Sequence, residues 1–302
     1  MMIDLQKITT RDGLILHGGV VWPLHQSRRS GAGRARSSGE TAIILVHGLM
    51  GRFYTWFDRV SPLIAIAERQ KIAVAAFNTR GNHVVSYDTY GMKKKTKRGV
   101  GGGACERFEE CVYDIGAMVD FFVRKGYRNV ILVGHSTGAN KVAYYVAKTK
   151  DRRVKKLVLL SAIADPVIAR REYGHTLRTH LQSAKRAVRR GDGDKFLMST
   201  SSDPLLTPKR FLSLYTPGGA EDVFPYYNSK GNWRAMEGIR VPLLAIVGDH
   251  DQFLDRDAGE YMEVFQKHVR DFRGTIIAGA DHSFNKREKE LARAVARFVL
   301  GR

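Results

Sequence analysis

Five residues near the middle of this chain, Gly134-His135-Ser136-Thr137-Gly138, have the spacing of a turn that presents one serine. An apolar run, Val130 to Val133, precedes them, and Ala139 to Tyr144 continues in helix-compatible sequence. The pentapeptide therefore reads as strand, sharp elbow, helix. A serine held in a strained backbone conformation needs the nearby Cβ atoms removed, and glycines two before and two after it meet that need. Ser136 is the expected nucleophile; an ordinary tight strand-to-helix turn is the competing reading.

A second stretch supplies what a nucleophile's product would require. The apolar run Ala42 to Val46 passes directly into His47-Gly48-Leu49-Met50-Gly51. Glycines at 48 and 51 let this backbone bend close to a ligand with an amide free to donate to a developing oxyanion, and the Leu49 N–H is the candidate. His47 is expected to buttress the loop rather than react.

These residues need a frame. The segment 1–24, with Asp12-Gly13 between alternating apolar residues, reads as an antiparallel hairpin. The Gly/Ser/Arg-rich run 27–40 reads as a flexible exposed loop. Strands are expected at Ala42–Val46 and Ile72–Phe77, both buried, and at Val130–Val133, Lys156–Leu160, Val241–Val247 and Gly274–Ala278. Helical patterning covers Trp56–Gln70, Ala104–Lys125, Ala258–Val269 and Lys286–Leu300. Val84 to Gly103 reads as a long loop bordering a pocket, and Arg80 before it as an anchor of its own loop. Alternating strands and helices imply a mostly parallel, doubly wound α/β sheet with helices on both faces.

From Val167 to about Arg240 the rhythm stops. This region is Arg-rich, helical at first, then broken by Asp203-Pro204, Pro208, Pro217-Gly218-Gly219 and Pro225. The expected organisation is a core in two parts, residues 1–165 and 241–302, with a lid inserted at 166–240.

In such a sheet, reactive groups gather beyond the carboxyl ends of the strands. Leu49, Ser136, Asp251 and His282 all sit at such ends. A serine hydroxyl needs a base to remove its proton, and the base needs a carboxylate to fix its tautomer. The order Ser136, Asp251, His282, together with H-G-L-M-G, G-H-S-T-G, V-G-D-H-D-Q-F and G-A-D-H-S-F, resembles the α/β-hydrolase superfamily. The resemblance spans nearly the whole chain apart from the inserted region, whose sequence assigns it to no subgroup.

That resemblance implies Ser136 as nucleophile, His282 as general base and then acid, and Asp251 as the orienting carboxylate. It implies the amides of Leu49 and Thr137 as the oxyanion hole. Asp251 stands three residues past Gly248, matching the superfamily's G-x-x-D arrangement; Asp249 is its rival. Asp281 is expected to be a turn residue, and His135 to point away from the reacting centre. The implied chemistry is hydrolysis of a carboxylic ester through an acyl-serine. Thioesterase, lactonase, peptidase and acyltransferase chemistry share the constellation, and a non-catalytic binding protein on the same fold is a further alternative. No cofactor is implied, and no metal site, because His and Asp occur singly at strand ends without ligand spacing.

Bulk composition sets the remaining bounds. The chain has 302 residues, 43% of them hydrophobic, enough for a packed core. Its two cysteines, Cys105 and Cys111, are too few for a disulfide framework and are expected to be free. No apolar run approaches the ~20 residues of a membrane helix. The N-terminus lacks the pattern of a signal peptide, so a cytoplasmic location is the default expectation. Lys and Arg number 50 against 30 Asp and Glu, a formal net charge of +20. Such a surface attracts polyanions, acidic membranes or anionic substrates, but no nucleic-acid module accompanies it. A small-molecule ester is the expected partner. The G-H-S-T-G elbow and the charge point to an acidic or polar acyl group, and the chain also resembles fungal siderophore esterases.

Overall fold

Asp4–Thr9 (β1) and Ile15–Val21 (β2) open the chain as an antiparallel pair joined at Asp12-Gly13, where Gly13 takes φ +91°. The structure, a computed structural model, describes residues 1–23, 40–92, 95–196 and 205–302. The expected loop at 27–40 therefore lies, up to residue 39, outside the described residues, as does the Asp203-Pro204 break.

After Thr41–Val46 (β3), the region expected as one helix from Trp56 to Gln70 is two: Tyr54–Arg59 (α1) and Ser61–Arg69 (α2). The break has a local cause. Pro62 lacks the N–H an unbroken helix would need and is tolerated only in a first turn, so a new helix starts at Ser61. Ala73–Phe77 (β4) follows.

The long loop expected between Val84 and Gly103 is instead a β-hairpin, Ser86–Met92 (β5) and Lys95–Gly101 (β6). Its strands are polar and cationic, so apolar alternation does not reveal them; Asp88 and Gly101 are buried, while Leu14 bridges Tyr90. The next helix also begins later than expected. Residues 104–107 are turns and extended chain, a 3₁₀ turn spans Phe108–Glu110, and the helix proper is Cys111–Arg124 (α3). Its buried stripe of Ile115, Met118, Val119 and Phe122 matches the expected core face.

Asn129–His135 (β7), Thr137–Thr149 (α4) and Val154–Leu160 (β8) come next. Then Asp165–Tyr173 (α5), Leu177–Arg189 (α6), Pro208–Tyr215 (α7) and the single turn Arg234–Glu237 (α8) intervene, with no strand among the described residues. Leu243–Gly248 (β9), Ala258–His268 (α9), Phe272–Ile277 (β10) and Glu288–Leu300 (α10) complete the chain.

Eight strands form one sheet in the order β1-β2-β4-β3-β7-β8-β9-β10. From β4 to β10 every pairing is parallel; β1 and β2 run antiparallel at one edge. Every residue of β4 and β9 is buried, as parallel strands covered on both faces must be. One face packs against α3, α4 and α9 through residues such as Phe122, Val142 and Phe265, the other against α1, α2 and α10 through Phe57, Leu63 and Val295. Each such large apolar side chain contributes about 2 kcal/mol when buried. The fold is thus the expected doubly wound parallel sheet. Its parallel register brings the carboxyl ends of β3, β7, β8, β9 and β10 to one edge, where the loops carrying residues 47–51, 136, 161, 249–251 and 278–282 emerge.

Candidate functional site

Ser136 sits between the last residue of β7 and the first of α4, with φ 55° and ψ −131°. A non-glycine residue is strained there and persists only where its surroundings over-determine it. Here they do: Ser136 N–H donates to Leu160 O at 2.9 Å, and Ala139 N–H returns to Ser136 O at 2.8 Å. The flanking glycines have a steric reason. A Cβ on Gly134 would come 2.3 Å from Gly138 O, and one on Gly138 would come 2.3 Å from Val46 O. The turn can therefore be this sharp only if the helix backbone crosses directly over the ends of β7 and β3. Gly48 is the third close approach, since its Cβ would lie 2.9 Å from that of Ser136. The loop after β3 thus rests against the serine, with Leu49 next in the chain and Thr137 opening α4.

His47 holds that loop. Its Nε2 accepts from the Thr79 N–H at 2.9 Å, so Nδ1, 2.8 Å from Gly48 O, carries the proton and donates. Burial, then the nearby Lys141 charge, pushes the imidazole pKa down to about 4, so it is a neutral strut.

His282 and Asp251 reach the same edge from β10 and β9. The imidazole Nδ1 lies 2.9 and 3.0 Å from the two Asp251 carboxylate oxygens, with both side chains buried. Burial works to raise the Asp251 pKa. The His282 contact and the Phe253 N–H, donating at 3.0 Å, outweigh it and hold the carboxyl below its usual range. The His282 ring is wedged between Phe253, edge-on at 4.6 Å, and His135 at 4.9 Å, and the backbone N–H of His282 donates to Gln252 Oε1 at 3.2 Å. Asp249, the rival carboxylate, is exposed and accepts from Gly279 N–H at 2.6 Å, pinning the turn after β10. Asp281 is a turn residue whose Oδ1 accepts the N–H groups of Ser283 and Asn285.

His135 is closer to this site than its position in the elbow suggested. Its Nε2 lies 2.8 Å from His282 O, with Trp56 edge-on at 5.4 Å. Burial, then the neighbouring His282, lowers its pKa to about 3, so it stays neutral and donates Nε2–H to that carbonyl. It packs behind His282 rather than turning away from it.

Sequence reading missed a buried ionic chain beside these loops. Lys141 Nζ on α4 lies 2.7 Å from Glu106 Oε2 and 3.4 Å from Thr79 Oγ1. Glu106 Oε1 accepts from Arg210 Nη2 at 2.8 Å, and Arg210 bonds both oxygens of Glu221 and Gly103 O. All four charged side chains are buried. The available signal was Lys141 itself, a lysine among Ala139, Val142 and Ala143 in the buried first half of the helix. Arg80 is anchored as expected, its guanidinium bonded to Asp114, Asp12 and Glu110. Leu49 and Met50 pack against a small apolar cluster of Ala169, Leu206, Leu214 and Tyr215 from the region following β8.

Comparison with known proteins matches this architecture. Est1E from Butyrivibrio proteoclasticus, solved with ferulic acid bound, superposes with a TM-score of 0.65 over 97% of this chain and 98% of its own, at 17% identity. Carboxylesterase CesB from Bacillus subtilis does so with a TM-score of 0.57 over 100% and 93%, also at 17% identity. At this identity the likeness is one of fold, and the fold is the α/β-hydrolase fold. In sequence, 87 residues are 34% identical to a bifunctional esterase/perhydrolase, DCH, of Acinetobacter calcoaceticus, and that match spans 29% of each protein. A family profile described as "Protein of unknown function (DUF1749)" matches residues 81–300.

Proposed function

The chain belongs to the DUF1749 family, and from its fold and site we propose that it is a serine hydrolase of carboxylic esters. The observation that carries this reading is the Asp251–His282 pair, 31 residues apart in sequence, buried at the strand edge where Ser136 is held in strain. In the proposed mechanism Asp251 fixes the Nδ1–H tautomer of His282, leaving Nε2 free to take the Ser136 proton. Ser136 Oγ attacks the ester carbonyl, and the amides of Leu49 and Thr137 receive the oxyanion. His282 then gives its proton to the departing alcohol, and water resolves the acyl-serine with His282 again as base. Gly48 supports this assignment of Leu49, because its contact with Ser136 brings that loop to the nucleophile.

Residues 166–240 act in this reading as a lid on a core formed by 1–165 and 241–302, working in the cytoplasm. The packing of Leu49 and Met50 against the apolar cluster around Leu214 supports that placement. The esterases among the similar structures favour ester hydrolysis over the other acyl transfers available to the same residues. Hydrolysis of nitrophenyl esters of graded chain length tests the proposal. The native protein should turn over at least the short acyl esters and Ser136→Ala none; native protein as inactive as Ser136→Ala would remove it.

A further inference from the structure

The β5–β6 hairpin carries an outward face that the hydrolysis reading leaves unused. Strand pairing sets Tyr87 directly opposite Val100, and the two-residue alternation puts Thr89 and Arg98 next on that face. Tyr87 is 70% exposed and Val100 60%, while Val84 and Val85, just ahead of β5, are each 43% exposed. Ser86 pairs with Gly101, so Val84 and Val85 stand immediately before the base of the hairpin. Four large apolar side chains exposed on and just ahead of one short element mark a contact surface. Exposed cations accompany them, Arg98 on that face and Lys97 beside it in β6 on the alternate side. The base of the hairpin is bonded to the loop beside Ser136: Asn82 bridges Met50, and His83 N–H donates to Gly51 O at 3.3 Å.

The geometry points to this hairpin face as a docking surface for an anionic lipid bilayer. Arg and Lys meet anionic headgroups, a tyrosine with an apolar body and a polar tip suits the headgroup level, and valines enter the boundary of the acyl chains. Single-stranded nucleic acid would also use the cations. It needs aromatic faces on which bases stack, however, and three of the four apolar groups here are valines. The overall charge of +20 draws the protein toward an anionic leaflet, and the apolar patch decides which part of it makes contact.

Co-sedimentation with lipid vesicles tests this without using any chemistry of Ser136, so its outcome and that of the hydrolysis proposal are read separately. The native protein should sediment with vesicles of phosphatidylcholine plus phosphatidylglycerol and not with phosphatidylcholine alone. The double variants Tyr87→Ser/Val100→Ser and Lys97→Glu/Arg98→Glu should each weaken partition about tenfold. Lys185→Glu/Arg186→Glu, an equal charge change on exposed positions of α6, should stay within about twofold of native. Unchanged circular dichroism would show that all three variants fold. The proposal is overturned if native protein stays in the supernatant, if the hairpin variants bind as native does, or if the α6 variant loses as much as they do. Oligonucleotide binding that depends on Tyr87 and Val100, without vesicle binding, would assign the patch to nucleic acid instead.

Discussion

Arg210 Nη2 of α7 lies 2.8 Å from Glu106 Oε1, and both side chains are wholly buried. The residues are 104 positions apart, one in the region after β8, the other in the turn before α3. Through Glu106 the arginine connects to Lys141 on the helix of the elbow, and through Lys141 to Thr79, whose amide supports His47. The proposed lid is therefore joined to the loop beside Ser136 by a continuous buried chain of polar contacts.

Removing one member of such a chain leaves the others charged and unpaired in a site shielded from water. Arg210→Met should cost about 3–5 kcal/mol, more than an exposed arginine of the same region. Arg178→Met on the exposed face of α6 should change stability by less than about 0.5 kcal/mol. Urea denaturation of the three proteins measures both.

The two acidic residues of the β9 loop should separate sharply. Asp251 contacts the imidazole and Asp249 contacts the Gly279 amide. Asp251→Asn should lower kcat about 10³–10⁴-fold by presenting the wrong tautomer of His282. Asp249→Asn should leave kcat within about threefold while lowering the melting temperature slightly, since it loses one charge-assisted turn contact. Steady-state kinetics on a nitrophenyl ester, paired with thermal melts, reads the difference.

Acid should destabilise the fold from the neutral side. An unfolded histidine takes up a proton near pH 6.5, whereas buried His47 and His135 resist protonation down to about 4 and about 3. Across that window the unfolded chain binds more protons than the native one. Stability is therefore complete above about pH 6.5 and falls as pH drops toward those lower values, by a few kcal/mol for the pair. Melting temperature followed from about pH 8 to about pH 4.5 should decline most steeply below 6.5, and His135→Gln should flatten that decline.

The elements that sequence revealed are those whose signal is local. G-H-S-T-G and H-G-L-M-G announce themselves by glycines at fixed short spacings, although the atoms that crowd Gly138 and Gly48 belong to Val46 and Ser136, far away in the chain. Strands such as Ala42–Val46 announce themselves because they are apolar throughout. The β5–β6 hairpin stayed hidden because Lys97, Arg98 and Thr89 carry no apolar alternation. Its pairing comes from backbone bonds and from attachment at Leu14 and Tyr90. Asp249 and Asp251 occupy the same turn, and only the path of the β10 loop, which brings in Gly279 and His282, decides which carboxylate meets which partner. The Glu106–Arg210 contact and the His135–His282 contact, 147 residues apart, depend on packing between distant segments, which no spacing encodes.

The central claim is that Ser136 is the nucleophile. Incubation with a fluorophosphonate, followed by peptide mass spectrometry, tests it most directly. The account predicts one covalent adduct on Ser136, absent in Ser136→Ala and strongly slowed in His282→Ala. A native protein that takes no label, or one that labels equally well as Ser136→Ala, would contradict it.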